Sequence, residues 1–104
     1  RSEIESLFKI KNMNVEIHEL YDTLFINKKI KGPFDGIIFF SPSAVLSFFE
    51  NNKWPKDCHG FCIGKSTAET LKKFTTKYSE AKHPNEDQLS LTIINYFSNY
   101  YVKK

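Results

Sequence analysis

The stretch that most constrains the fold is a run of four large apolar residues, Ile37 to Phe40, followed directly by Ser41 and Pro42. An uninterrupted apolar run of this length predicts a strand buried on both faces. Ser41 is a preferred helix N-cap and Pro42 suits the first helical position, so a helix is expected to begin at once. A buried strand that turns directly into a helix is typical of a parallel sheet covered by helices. Ligands bind such sheets at the carboxyl ends of the strands, which makes Ser41, Pro42 and Ser43 the first candidate binding residues.

The composition indicates one domain and argues against several kinds of partner. The chain has 104 residues, of which 40% are hydrophobic and 26% charged, as is usual for a globular protein. Its net charge is +3 and its one arginine is Arg1, with the lysines scattered along the chain. Nucleic-acid binding needs a concentrated basic face, so we expect none, whereas a small positive charge suits an anionic small molecule. The sequence shows no signal peptide and no membrane span, and a cytoplasmic protein is expected.

The cysteines and histidines do not form a recognisable metal or redox motif. Cys58 and Cys62 are separated by three residues, which is neither the zinc nor the redox spacing. We expect Cys62 to be a buried free thiol in a reducing compartment. His18, His59 and His83 lie far apart in sequence, and none forms a metal-binding pair four residues apart. No metal site is therefore predicted.

Hydrophobic periodicity predicts four helices alternating with four strands. The predicted helices cover residues 2–10, 42–52, 67–74 and 86–100, and the predicted strands 15–21, 35–40, 60–63 and 78–81. Residues 22–32 are expected to be a connector, and the strand at 15–21 to lie half-buried near a sheet edge. The residues predicted to face the core from the helices are Ile4, Leu7, Phe8, Val45, Phe48, Phe49, Ala68, Leu71, Phe74, Leu89, Ile93, Tyr96 and Phe97. This order predicts a three-layer α/β/α fold with a mostly parallel, four-stranded sheet.

A second strand-to-helix turn, from Gly64 to Thr67, resembles a phosphate-binding loop only in part. The nucleotide-binding pattern needs a glycine where this chain has His59, so that function is not supported. Gly64 is still expected to permit a tight turn, with Ser66 or Thr67 capping the next helix. The free N–H groups at that helix start can hold a carboxylate or a phosphate.

Each of these features also has a simpler structural interpretation. The hydroxyl groups at both turns can act as helix caps alone. Tyr21, at a strand end beside Asp22 and Thr23, can donate a proton or a hydrogen bond, or it can be an amphipathic residue at a sheet edge. No G-x-S-x-G pattern surrounds Ser41 or Ser43, so a nucleophilic triad has no support.

Four segments together resemble one enzyme family. The segments are VEIHELYDT at residues 15–23, FDGIIFFSPSAV at 34–45, CIGKSTA at 62–68 and AKHPNEDQL at 81–89. They are similar, in order and approximate spacing, to the motifs v-x-e-x-x-v-Y-x-T, fD-x-i-x-F-x-S-P-S-a-v, c-I-G-x-x-T-A and A-x-x-P-x-x-x-x-L of uroporphyrinogen-III synthases. Each motif is weak alone, and the four in register cover nearly the whole chain.

The resemblance implies an activity and a role for each candidate residue. Enzymes of this family close the linear tetrapyrrole hydroxymethylbilane into uroporphyrinogen III and invert ring D through a spiro intermediate, without a metal or cofactor. By resemblance, Tyr21 would assist departure of the hydroxyl group. Ser41, Ser43, Ser66 and Thr67, with Pro42, Gly64 and Lys65 in the same turns, would bind the substrate's acetate and propionate groups. Lys65 occupies a variable position of the family pattern.

The chain is shorter than the family pattern, which has two similar lobes around a cleft. Residues 1–23 would correspond to the end of one lobe, 24–32 to a linker and 33–104 to the C-terminal part of a flavodoxin-like second lobe. The four-stranded sheet is then expected either to be incomplete, in a fragment inactive alone, or to be completed by a partner chain through swapping. The alternative is a non-catalytic flavodoxin-like module that binds a small anion or a partner protein.

Overall fold

The fold is a mixed α/β structure with four helices and one five-stranded sheet. A computed structural model describes residues 4–102, and the side chains of 5–99. Its elements are α1 (Ile4–Lys11), β1 (Glu16–Leu20), β2 (Thr23–Asn27), β3 (Gly36–Phe39), α2 (Pro42–Asn51), β4 (His59–Cys62), α3 (Lys65–Leu71), β5 (Tyr78–Glu80) and α4 (Glu86–Val102). All four predicted helices and all four predicted strands are present, with ends shifted by a few residues. The predicted helical residues Ser2 and Glu3 lie outside the described range.

The sheet differs from the prediction in strand number and direction. Its order is β1-β2-β3-β4-β5, so neighbours in sequence are neighbours in the sheet. β3, β4 and β5 are parallel, whereas β2 runs antiparallel to both β1 and β3. The prediction of a mostly parallel, four-stranded sheet was therefore wrong, because half of the strand pairings are antiparallel. The strand that was not predicted, β2, lies between β1 and β3.

The sequence pattern does not reveal β2, because its hairpin turn has an unusual sequence. Tyr21 and Asp22 form a two-residue turn in which both have positive φ, 56° and 59°. Such turns usually carry Asn-Gly or Asp-Gly, since a tyrosine seldom adopts a left-handed conformation. The apolar run from Leu24 to Ile26 is buried and pairs with β3, so the prediction of a connector there was wrong.

The core has two layers because alternate strand residues point to opposite faces of the sheet. On β3, Ile37 and Phe39 face α2 and α3, whereas Ile38 faces α1 and α4. The first layer contains Phe25, Ile37, Phe39, Ala44, Val45, Phe48, Cys58, Cys62, Ala68 and Leu71. The second contains Ile10, Val15, Leu24, Ile26, Ile38, Phe61, Ala81, Leu89, Ile93 and Phe97. Helices therefore cover both faces of the sheet.

The inward faces of α2 and α4 were predicted correctly. That of α1 was predicted only in part, because Leu7 packs against the core, and the side chain of Ile4 lies outside the described residues. Phe8 is 65% exposed, whereas Ser6 and Ile10 are buried. The Ser90 hydroxyl of α4 donates to the Ser6 carbonyl at 3.2 Å, which fixes a different face of α1 against α4. Phe74, also predicted to be inward, follows the end of α3 and is 43% exposed. Asn14, three residues after the end of α1, has a left-handed backbone conformation with φ 63°.

Candidate functional site

The two candidate turns lie side by side at the carboxyl edge of the parallel strands. Phe39 of β3 pairs with Cys62 of β4, so Ser41 and Gly64 each follow two residues later at the same level of the sheet. The chain after β5 reaches the same edge, because the Ala81 N–H donates to the Cys62 carbonyl at 2.9 Å. The starts of α2 and α3 and the loop after β5 therefore border one surface.

The antiparallel strand β2 brings Tyr21 to this same edge. Leu24 pairs with Ile38, so the residues before Leu24 lie beside the residues after Ile38. The Tyr21-Asp22 turn thus adjoins the strand end that leads into Ser41. Tyr21 is 45% exposed, which leaves its phenol accessible from solvent. The sequence alone placed Tyr21 at a strand end, and the unexpected strand β2 explains why it lies near the serine turn.

The start of α2 is a closed cap with two adjacent hydroxyl groups. Ser41 Oγ accepts a hydrogen bond from the Ala44 N–H at 3.1 Å, and Pro42 occupies the first turn, as predicted. Ser41 Oγ and Ser43 Oγ are 3.1 Å apart, so one hydroxyl donates to the other. Pro42 has no N–H group, and the N–H of Ala44 already donates to Ser41 Oγ. The N–H of Ser43 therefore remains in this turn as a donor without an intrahelical partner. An anion bound here would meet this N–H and a hydroxyl group.

The start of α3 differs from the prediction. The N-cap is Gly64 itself, so neither Ser66 nor Thr67 caps the helix with its side chain. The Gly64 φ of −158° is extended, a conformation that any residue can adopt. Thr67 is 2% exposed, which places its hydroxyl away from solvent, whereas Lys65 and Ser66 are exposed. Of the three side chains, those of Lys65 and Ser66 are available to a ligand in solution.

Sequence reasoning missed the role of Asp35. This carboxylate is 4% exposed and accepts N–H groups from Lys28 at 2.7 Å, Ile30 at 3.3 Å and Lys31 at 3.2 Å. It therefore organises the loop between β2 and β3. An aspartate immediately before a buried apolar strand, preceded by a polar loop, was the available signal.

A comparison with family models tests the resemblance found in the sequence. The family model described as Uroporphyrinogen-III synthase HemD matches residues 1–90. The chain belongs to this family. The resemblance found in the four sequence segments is confirmed, and it supports a role related to uroporphyrinogen-III synthase. Searches of curated proteins and of solved structures gave no significant match.

The charges at the carboxyl edge divide this surface into two parts. Lys65 and the exposed Lys82 and His83, which follow β5, supply basic groups, of which sequence reasoning had assigned only Lys65 to the site. On the α1 and α4 side of the edge, a hollow of about 640 Å³ is lined by acidic groups, Glu5, Glu86 and Asp87. A polycarboxylate is attracted to the first part and repelled by the second. The basic part is the one that contains the starts of α2 and α3.

Within the described residues, the protein has neither a metal-binding cluster nor a membrane-spanning helix. No group of three His, Cys, Asp or Glu side chains between residues 4 and 102 is placed to hold a metal ion. None of the helices in that range combines the length and apolar character that crossing a bilayer requires. Cys58 and Cys62 are both free and buried, as predicted for Cys62.

Proposed function

We propose that this chain supplies part of the active site of a uroporphyrinogen-III synthase, which cyclises hydroxymethylbilane with inversion of ring D. The observation that carries the proposal is the strand register. It brings three of the family-like segments, those containing Tyr21, Ser41 and Gly64, to one edge of the sheet. These three residues are separated by 20 positions or more in the sequence.

The proposed chemistry depends on orientation of a flexible anionic substrate. Loss of the substrate hydroxyl generates an electrophilic azafulvene. The substituted, electron-rich carbon of ring D attacks it, and the resulting spiro intermediate breaks and recloses. The phenol of Tyr21 is exposed at this edge and would donate a hydrogen bond to the departing hydroxyl. No strong nucleophile is required, because holding the reacting carbons together supplies much of the rate enhancement.

The carboxylates of the substrate would be held by the serine turn and by its basic surroundings. Ser43 offers both an N–H and a hydroxyl group, and Ser41 fixes the backbone that presents them. Lys65 and Ser66 are exposed one strand away, within the same surface. Pro42 and Gly64 would shape the two turns. Thr67 is buried and would support α3 from within the core.

The decisive experiment measures product isomers formed by the protein at the length its gene encodes. Hydroxymethylbilane would be supplied, and uroporphyrinogen III would be separated from uroporphyrinogen I, the product of spontaneous closure. Formation of the III isomer is expected. Binding of the bilane with release of the I isomer alone would instead favour the non-catalytic, anion-binding alternative.

Variants of the same protein test the assigned roles. Tyr21→Phe should lower kcat by about tenfold or more, because one hydrogen bond to the leaving group is lost. Ser43→Ala should raise KM with less effect on kcat, because it removes a ground-state contact. Tyr78→Phe is the matched control, since Tyr78 begins β5 at the opposite edge of the sheet. An unchanged kcat for Tyr21→Phe would remove the role assigned to this phenol.

A further inference from the structure

A second hollow opens at the amino edge of the parallel strands, opposite the proposed active site. Its volume is about 420 Å³, which is within the usual range for small-molecule sites. Asp57 and His59, around the start of β4, and Lys77, directly before β5, contribute to its lining. The family-like turns lie at the other edge, so the proposed cyclisation does not use this hollow.

One side of the hollow is preformed. Asp35 and Lys31 contribute to the lining, and the Asp35 carboxylate accepts the Lys31 N–H at 3.2 Å. Asp35 is held further by its own backbone, since its N–H donates to the Ile26 carbonyl and its carbonyl accepts the His59 N–H. The loop between β2 and β3 is thereby fixed to the start of β4. A ligand would therefore meet a wall that needs little ordering on binding.

Another side of the hollow is aromatic. The rings of His59 and Tyr96 are stacked, with centroids 4.0 Å apart and planes 20° apart. Phe97 meets Tyr96 edge to face at 5.1 Å, and all three residues contribute to the lining. His59 Nε2 and Ser79 Oγ are 2.8 Å apart, which holds the imidazole in place. This rigid wall offers a planar, apolar group a surface to pack against.

The hollow is flanked by opposite charges that lie just before the starts of two neighbouring strands. Gly60 pairs with Tyr78, so Lys77 lies beside His59. Asp57 precedes His59 by two residues in the sequence. Asp57 and Lys77 are exposed, and neither charge takes part in an ion pair among the residues whose side chains are described. Adjacent strands are about 4.8 Å apart, so a small ligand can reach both groups. Besides Lys31 and the buried Asp35, the lining therefore offers the exposed Asp57 and Lys77 beside an aromatic wall.

We propose that this amino-edge hollow binds an aromatic α-amino acid. The ligand carboxylate would pair with Lys77, its ammonium group with Asp57, and its ring would pack against Tyr96 and Phe97. Charge-assisted hydrogen bonds of this kind supply specificity as well as affinity. A purely anionic or purely cationic ligand would leave one of the two flanking charges without a partner.

The test compares three ligands that differ in charge and share a phenyl ring. L-Phenylalanine, 3-phenylpropionate and 2-phenylethylamine would each be titrated into the full chain while backbone amide resonances are followed by NMR. L-Phenylalanine should give saturable shifts at Cys58, His59 and Lys77. The two analogues, which lack the ammonium or the carboxylate, should each bind about tenfold more weakly.

Two variants test which side chain pairs with each charged group of the ligand. Asp57→Asn should weaken the binding of L-phenylalanine about tenfold. It should leave the binding of 3-phenylpropionate unchanged, because this ligand has no ammonium group. Asn tolerates the left-handed conformation of Asp57, which has φ 61°, so the turn should persist. Lys77→Gln should weaken L-phenylalanine and 3-phenylpropionate alike, whereas Lys53→Gln, outside the hollow, should change neither. Absence of saturable shifts with L-phenylalanine, or equal affinity for 3-phenylpropionate, would overturn the proposal.

Discussion

The carboxylate of Asp35 accepts the backbone N–H of Lys28 at 2.7 Å, although the two residues are seven positions apart in the sequence. Two further N–H groups of the same loop, those of Ile30 and Lys31, donate to this carboxylate. The charge is 4% exposed and lies where β3 begins. The loop between β2 and β3 therefore depends on one buried side chain for most of its internal hydrogen bonds.

Replacing Asp35 should destabilise the protein strongly. Asp35→Ala leaves three N–H groups without their acceptor and should lower the free energy of unfolding by about 3 kcal/mol or more. Asp35→Asn retains one acceptor oxygen and should lower the free energy of unfolding by about half as much. Urea unfolding followed by circular dichroism would measure both. A loss below about 1 kcal/mol for the alanine variant would contradict this role of the carboxylate.

The burial of His59 predicts that stability depends on pH. Desolvation lowers its pKa from the ordinary value of 6.5 to about 4. Between these two pH values the unfolded chain binds a proton that the folded chain does not. The free energy of unfolding should therefore decrease as the pH falls from 6.5 towards 4, by roughly 2 kcal/mol after allowance for partial exposure.

The variant His59→Gln isolates this effect. Glutamine does not titrate, so the decrease in stability between pH 6.5 and 4 should be smaller by about the same amount. The control is His18→Gln, because the His18 side chain is 64% exposed and stays in solvent. Urea midpoints at several pH values would make the comparison. Equal pH dependence for the parent chain and His59→Gln would count against the prediction.

The parts of the fold that could be predicted are those with strong local signals. The apolar run from Ile37 to Phe40, with Ser41 and Pro42 behind it, defined β3 and the start of α2. The strand β2 could not be found in this way, because the Tyr21-Asp22 turn lacks the usual hairpin residues. Its absence from the prediction led in turn to the wrong strand count and strand direction.

The sequence suggested the candidate residues and favoured part of their arrangement. The neighbouring positions of Ser41 and Gly64 follow from parallel pairing, which the sequence favoured. The position of Tyr21 depends on the antiparallel strand that the pattern did not reveal. Gly64 is the N-cap and Thr67 is buried because of how α3 packs against the sheet. The positions of hydroxyl residues in the sequence do not predict this packing.

Ser41 and Ser43 should separate into a structural and a binding role. Ser41→Ala removes the acceptor of the Ala44 N–H and should lower the free energy of unfolding by about 1 kcal/mol. Ser43 is exposed, and Ser43→Ala should change stability by less than about 0.5 kcal/mol. Thermal unfolding of the two variants would show the difference. Equal losses would mean that the Ser41 cap stabilises the fold no more than the exposed Ser43 hydroxyl does.

Both thiols should be unreactive while the protein is folded. Burial raises the pKa of Cys58 to about 12, with a further contribution from Asp35. Burial likewise raises the pKa of Cys62 to about 12, with a contribution from Glu80. Only the thiolate reacts rapidly with a disulfide reagent, so labelling at pH 8 should be slow in the native state and fast in guanidinium. Rapid native labelling of either cysteine would show that the strand ends open.

Two glycines should respond oppositely to the same substitution. A Cβ atom at Gly60 would lie 2.7 Å from Cδ2 of Leu71 and 3.3 Å from Cβ of Tyr78. Leu71 is 0% exposed and has little room to move, so Gly60→Ala should cost about 1–3 kcal/mol. A Cβ at Gly32 meets nothing within 4 Å, and Gly32 does not have positive φ.

Gly32→Ala should therefore leave stability unchanged or raise it by up to about 1 kcal/mol, because alanine reduces the freedom of the unfolded chain. The two variants are matched, because each adds the same methyl group and they differ only in its position. Urea unfolding of the two proteins gives the comparison directly. A destabilised Gly32→Ala protein would imply that the loop between β2 and β3 packs more tightly than the Asp35 hydrogen bonds alone require.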